Sequence, residues 1–428
     1  MINFDELVNE KQRTVSPKIF RDREIYEAEQ ERIFGHCWLF LGHESQIPNP
    51  LDFTTTYMGE EPIIVWRGRD NTIRAFINSC RHRGMRVCRL EEGNARTFTC
   101  GYHGWTYDVR GRLIGRPYQN KYDGAEFNPD QWGLLEVARV ESYAGLIFGC
   151  FDREACTLEE YLGEVKWYLD TQVKRTPRGL TVFPGIQKWT VQANWKLGAE
   201  QFSGDNYHAL ITHKSVVPLG FLGKAEEFAN KVEPFVRDFQ TRTAQGHGWL
   251  NLTDVAPPGA PKAFTEYENK VKEDSAAWLS PNQSYLTDSG VVATIFPNFS
   301  ILKFLGSFAL RVWQPKGPDR LELWLYVVTD SEAPEWRAEI AREMQIRCFS
   351  TSGAFDVDDS EMWQACQESM GGFYRRKFPL NYSLSAGLSR PDPERPGAID
   401  VSPSEDSIFG FYSRWRRTMS NGNGGDKK

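Results

Sequence analysis

A chain of 428 residues is long enough for two structural domains and buries a hydrophobic core without difficulty. Its 40 % hydrophobic, 25 % charged and 13 % aromatic residues, with a mean hydropathy of −0.52, exclude a disordered, collagenous or coiled-coil chain. Fifty-one Lys and Arg against 57 Asp and Glu leave a formal charge of −6, without the basic excess that sequence-independent nucleic-acid binding needs. No apolar window of about 20 residues is present and the start, Met1 to Glu6, lacks a basic, apolar leader, so a cytoplasmic protein that does not enter a membrane is expected. In a reducing compartment its eight cysteines are thiols or metal ligands until shown otherwise.

Asp22 to Phe34, with apolar Ile25, Ala28 and Ile33, predicts an amphipathic helix. From Thr54 the pattern changes. Pro62 to Trp66, a polar Arg69-Asp70-Asn71 turn and Thr72 to Ile77 predict an antiparallel hairpin, and Trp105 to Asp108 before Gly111 begins another. Residues 38–157 are therefore expected to form a small all-β domain with loops. Beyond it, Leu158 to Leu162 and Trp167 to Leu169 predict a helix, and a second helical run begins near Trp195. Asp254 to Pro261 reads as a loop, Phe304 to Trp313 with Leu321 to Asp330 as a hairpin closed by Pro315 to Pro318, and Glu332 to Met344 as a helix. The fold class expected is α+β, with residues 1–37 and 158–420 forming a larger domain on an antiparallel sheet and 421–428 a disordered tail. No Gly-x-Gly-x-x-Gly fingerprint is present, so no nucleotide or flavin site is expected.

Two constellations carry chemistry. Cys80-Arg81-His82 and Cys100-Gly101-Tyr102-His103 each pair one sulfur with one imidazole. A Rieske [2Fe–2S] centre needs two thiolates on one iron and two histidines on the other, and two adjacent loops of this kind can grip it from opposite sides. The competing reading is a structural zinc site, but zinc fingers pair Cys with Cys and His with His in separate halves. Gly84, Gly104 and Trp105 permit tight turns that shield the cluster, and Cys88 is expected as a buried thiol outside the pattern. A Rieske centre only moves an electron, so something must receive it.

Asp205 to His213 contains two of only seven histidines. Asp205 and His208, three apart, are expected on one helix face; His213, five further, needs a π-bulge or a helix end to converge with His208. Two imidazoles and one distant carboxylate make the facial triad of mononuclear iron, and Phe349 to Glu361 offers that carboxylate. In the bland reading the histidines are ordinary interior or surface residues and Asp358-Asp359 is a helix N-cap. Phe202, Ala209, Leu210, Phe349 and Phe355 near such an iron would suit an apolar aromatic guest, or would simply be core.

Together these motifs resemble the catalytic large (alpha) subunit of the Rieske non-haem iron aromatic-ring-hydroxylating dioxygenases, of the naphthalene and biphenyl dioxygenase kind. The likeness runs from Val15-Ser16-Pro17 and Trp38 to Glu44 through both metal motifs, Asn194-Trp195-Lys196 and Phe296-Pro297-Asn298 to Asp358-Asp359. It implies a helix-grip-like catalytic domain, Cys80, His82, Cys100 and His103 on the [2Fe–2S] cluster, and His208, His213 and Asp359 on Fe(II). It implies further that Asp205 links the Rieske histidine of a neighbouring subunit to the iron site, within trimers commonly completed by a small beta subunit (alpha3beta3, or alpha3). The implied reaction uses O₂ and two electrons to hydroxylate an aromatic substrate, by cis-dihydroxylation or by monooxygenation. With no nicotinamide or flavin motif here, the electrons must come from separate ferredoxin and NAD(P)H-linked reductase proteins. Gln201 departs from the naphthalene-type pattern, which has Asn there. A plain Rieske electron carrier is the reading from another class, and it leaves the second constellation idle.

Overall fold

The computed structural model describes residues 2–122, 126–219 and 238–421. Two compact units appear, one spanning Phe34–Leu158 and the other made of the chain before and after it.

The Phe34–Leu158 unit is built of antiparallel strands in three small sheets. Glu61–Arg67 and Ile73–Ile77 pair as the hairpin expected from their alternation, and Asp52–Met58 and Glu92–Asn94 complete a four-stranded sheet. Thr97–Thr99, Thr106–Asp108 and Leu113–Gly115 form a second sheet. Phe53, Ile64, Trp66, Phe76, Phe98, Trp105 and Tyr107 fill its core, and Cys80, Cys88 and Cys100 belong to the same cluster. The sulfurs are thus anchored in the apolar interior while the chain around them loops outward.

The other unit is organised on a ten-stranded sheet. Its strands are β1 (Leu180–Val182), β2 (Gln187–Val191), β3 (Phe239–Arg242), β4 (Gly248–Leu252), β5 (Gly290–Ile295), β6 (Phe299–Phe304), β7 (Ser307–Pro315), β8 (Leu321–Asp330), β9 (Arg390–Pro391) and β10 (Ala398–Val401). They run antiparallel in the order β1-β8-β7-β6-β5-β4-β3-β10-β9, with β2 also paired to β8. The helices that matter for the site are α1 (Arg23–Glu29), α2 (Trp195–Phe202), α3 (Ala209–Thr212), α4 (Glu335–Cys348), α5 (Ala354–Ser369) and α6 (Asp406–Asn421). Helices α2, α4 and α6 pack against the sheet. All nine residues of β7 are buried, which explains its apolar Phe308 to Leu310 and Val312-Trp313 and makes its polar side chains, Ser307, Arg311 and Gln314, conspicuous.

Three expectations are corrected. The strand read from Phe304 to Trp313 is two strands, because Leu305 and Gly306 both take positive φ (52° and 73°) and turn the chain between β6 and β7. The helix read from Glu332 starts at Glu335, after Pro334. Asn421, read as the first residue of a tail, is the last residue of α6, and the remaining residues 422–428 lie outside the described residues. The 14-residue helix Lys262–Ser275 was not legible in the sequence pattern, as it is strongly polar and buries only Phe264, Glu268, Val271 and Ser275. Among the described residues no helix is long and apolar enough to cross a membrane.

Candidate metal centres

In the all-β unit two loops present the first donor set with nearly the same backbone. Gly84 N–H donates to the Cys80 carbonyl (2.8 Å) and Gly104 N–H to the Cys100 carbonyl (2.9 Å), while Cys80 N–H and Cys100 N–H reach the carbonyls of Met85 (2.8 Å) and Trp105 (2.7 Å). Both glycines sit near φ +74°, so a side chain there would strain the turn. Cys80 and Cys100 are 3 % and 2 % exposed. The rings of His82 and His103 lie with centroids 4.5 Å apart, and Trp105 stacks on His82 at 5.0 Å and 8°. His82 Nδ1 is shut off from solvent and has no hydrogen-bond partner among the described residues, as a nitrogen awaiting a metal would be. Arg81 N–H donates to Tyr107 Oη (3.1 Å), which leaves the phenol proton for Cys80 Sγ at 3.3 Å. Burial pushes the Cys80 thiol up, against that hydrogen bond, so its thiolate needs a cation. This donor set fits a histidine-ligated [2Fe–2S] cluster. Cys88, 4 % exposed and raised by burial, stays outside it.

In the other unit His208 and His213 bracket α3 rather than sharing its face: His208 precedes the first helical residue and His213 follows the last. The helix end is what brings the rings together, with centroids 5.1 Å apart. Asp205 is not helical; it lies in the turn between α2 and α3, where its Oδ1 accepts the N–H of Tyr207 (2.9 Å) and His208 (3.2 Å). Its Oδ2 stands 3.3 Å from His208 Nδ1. Asp359 is no N-cap either. It is a buried residue inside α5, and its Oδ1 lies 3.5 Å from His208 Nε2 and 3.3 Å from His213 Nε2.

One ligand atom from each of His208, His213 and Asp359 falls within 4.8 Å of the others. Metal bonds of about 2.0–2.2 Å place adjacent ligand atoms roughly 3 Å apart, so the three fit one ion with positions left open. Burial disfavours charge on His208, but the Asp205 hydrogen bond and the charges of Asp205 and Asp359 outweigh it and raise its pKa. Burial likewise disfavours the Asp359 carboxylate, yet His213, His208 and Gln201 together hold its pKa below the ordinary value. The triad is therefore an anionic slot for a cation.

Four contacts were invisible in the sequence. Asp358 Oδ2 lies 3.5 Å from His213 Nδ1 and accepts from Ser215 Oγ at 3.1 Å. Gln201 Oε1 accepts from Trp363 Nε1 (2.7 Å), and its Nε2 lies 3.3 Å from His208 Nε2. The triad opens on a cavity of about 460 Å³ lined by Phe202, Ala209, Phe349 and Phe355, as expected, and also by Leu250, Leu252, Val292, Leu302 and Phe304 from the sheet. The i, i+2 spacing of Leu250 with Leu252 and of Leu302 with Phe304 was the available signal for a shared strand face. The side chain of Leu210 lies outside the described residues.

The two donor sets, one in an all-β unit and one in a helix-covered antiparallel sheet, define a metalloprotein with separate electron-storing and mononuclear centres. Comparison with known proteins agrees. Residues 37–143 match the Rieske [2Fe-2S] domain and residues 158–421 the ring hydroxylating alpha subunit (catalytic domain). The chain is 40 % identical to biphenyl 2,3-dioxygenase subunit alpha of Rhodococcus jostii, over 97 % of this chain and 91 % of that one. It is 39 % identical to benzene 1,2-dioxygenase subunit alpha of Pseudomonas putida, over 97 % and 93 %. A solved naphthalene 1,2-dioxygenase with indole in its active site superposes with a TM-score of 0.92 at 32 % identity, covering 99 % of this chain and 96 % of that one. The chain belongs to the ring-hydroxylating alpha subunit family, whose members are oxidoreductases acting on aromatic rings and whose catalytic domain carries a mononuclear iron centre.

Proposed function

We propose that this chain is the terminal oxygenase subunit of a multicomponent system that cis-dihydroxylates an apolar aromatic ring with O₂ and two externally supplied electrons. The observation that carries this reading is the convergence of His208, His213 and Asp359 at the wall of a cavity lined largely by Phe, Leu and Val side chains. Iron bound there would supply O₂ activation beside the cavity. His208, His213 and Asp359 would hold it. Asp205, with Oδ2 3.3 Å from His208 Nδ1, holds the orientation of that ring, and by the family pattern it would link the Rieske histidine of a neighbouring copy to the iron site. Cys80, His82, Cys100 and His103 hold that cluster. Phe202, Phe349 and Phe355 exclude water from the ring and orient it.

The electrons come from separate ferredoxin and NAD(P)H-linked reductase partners. Assembly as a trimer of alpha subunits, with a small beta subunit, follows the same family pattern. A cytoplasmic setting is supported by eight cysteines without a disulfide among them.

The test is purified protein supplied with a surrogate ferredoxin and reductase. A red-brown protein with the low average g-value of a reduced Rieske centre, converting an arene to a product that gains two oxygens and two hydrogens, is expected. Zinc as the sole metal would end the oxygenase reading; a product gaining a single oxygen would replace dioxygenation by monooxygenation.

A further inference from the structure

Helix α5 carries Asp359 on a face made of Asp356, Asp359, Trp363 and Gln367, the spacing of one buried helical stripe. Two of these residues are fastened to the same strand. Arg311 and Trp313 stand two apart on β7 and so project to one side of the sheet. Arg311 Nη1 donates to Asp356 Oδ1 at 3.0 Å, and the Trp313 and Trp363 rings meet edge to face at 5.3 Å. Asp359 lies between the two attachments, one turn from each.

The first attachment is unusual. Arg311 is 0 % and Asp356 3 % exposed, and Asp356 and Asp359 are two carboxylates on one buried helix face. Arg311 Nε and Nη2 and Asp356 Oδ2 have no hydrogen-bond partner among the described residues. A buried pair satisfied so incompletely adds little to stability compared with apolar side chains of similar volume. What such a pair does provide is direction, because a guanidinium reaching a carboxylate constrains orientation where methylene packing does not.

We propose that Arg311 and Asp356 are positioning residues for the mononuclear iron site: together with the Trp313–Trp363 contact they fix the rotation of α5 about its axis, and so aim the Asp359 carboxylate at His208 and His213. The inference rests on the reading of Asp359 as an iron ligand. Neither residue bonds the metal in this arrangement. A side-chain oxygen about 5–6 Å from the helix axis moves by about 1 Å for each 10° of rotation, so a small rotation of α5 takes the Asp359 oxygen out of the 3.3–3.5 Å reach it has to both imidazoles.

The test uses the full-length holoenzyme, its iron removed and retitrated with Fe(II) anaerobically, in Arg311→Met, the double variant Arg311→Met/Asp356→Met, and Asp359→Asn. The readouts are Fe(II) affinity, the electron paramagnetic resonance of the ferrous nitrosyl complex, the thermal midpoint and the cluster spectrum. Arg311→Met should weaken Fe(II) binding about 10- to 100-fold and change the symmetry of the nitrosyl signal, with the cluster spectrum intact. The double variant, relieved of an unpaired buried charge, should recover its thermal midpoint but not its iron affinity. Recovery of both would show the pair to be merely structural and would overturn the proposal. Wild-type affinity in Arg311→Met, with loss in Asp359→Asn, would overturn this inference alone; wild-type affinity in Asp359→Asn would overturn the iron-site reading together with it.

Discussion

Asp205→Asn isolates one oxygen-for-nitrogen exchange at a carboxylate that binds no metal. The amide oxygen can keep both backbone hydrogen bonds, from Tyr207 and His208 at 2.9 and 3.2 Å, so the turn between α2 and α3 should survive. The loss falls on the second oxygen, 3.3 Å from His208 Nδ1. With Nε2 directed at the metal, Nδ1 carries the proton, and an amide N–H₂ would then oppose an N–H. A hydrogen bond to a charged group contributes about 1.5–3 kcal/mol. Because the Asp205 side chain is 26 % exposed, screening favours the lower half of that range, about 1.5–2 kcal/mol, or 10- to 30-fold at about 1.4 kcal/mol per decade. The variant should fold, hold its cluster and bind Fe(II) with affinity reduced by that order. Reoxidation of the pre-reduced cluster by O₂ and substrate, followed by stopped flow, should slow by at least as much. Wild-type reoxidation at matched iron content would show Asp205 to be a turn-forming carboxylate and nothing more.

Asp359→Asn should abolish mononuclear iron, whereas Asp358→Asn should retain it about 10-fold more weakly, since Asp358 touches only the far nitrogen of His213; metal analysis with the cluster absorbance as internal standard decides between them. His82→Cys should keep a cluster but lower its reduction potential by hundreds of millivolts toward that of all-cysteine clusters, measurable by redox titration. His43 gives a pH prediction for the fold. Burial lowers its pKa to about 4, so between pH 6.5 and 4 the unfolded chain binds a proton that the folded one does not, and stability falls as pH falls. At pH 5 the loss is about 2 kcal/mol relative to pH 8, and His43→Gln should remove that component from urea-denaturation curves.

Three pairs of short-range candidate donors were legible in the sequence because they are local: Cys80 with His82, Cys100 with His103, and His208 with His213 each sit within one loop or at the two ends of one short helix. The Pro62–Ile77 hairpin and the helices near Leu158 and Trp195 were legible for the same reason, their periodicity being that of the backbone. The helix face assigned to Asp205 failed because a side chain that caps its own following N–H groups competes with helix formation, which spacing alone does not reveal.

The family resemblance had implied Asp359, but local pattern could not choose among the neighbouring carboxylates; the tertiary structure is what shows which of them faces the histidines, and what lines the cavity beside them. Among Asp356, Asp358 and Asp359 the composition is identical; the phase of α5 against β7 turns Asp356 toward Arg311 and Asp359 toward the histidines, and leaves Asp358 at the edge beside Ser215. That phase is set by packing between segments some 45 residues apart in the chain for Arg311 and Asp356, and about 150 for His208 and Asp359. No local pattern encodes such a distance, because it is fixed by how the helix seats on a buried strand rather than by any propensity of the helix itself.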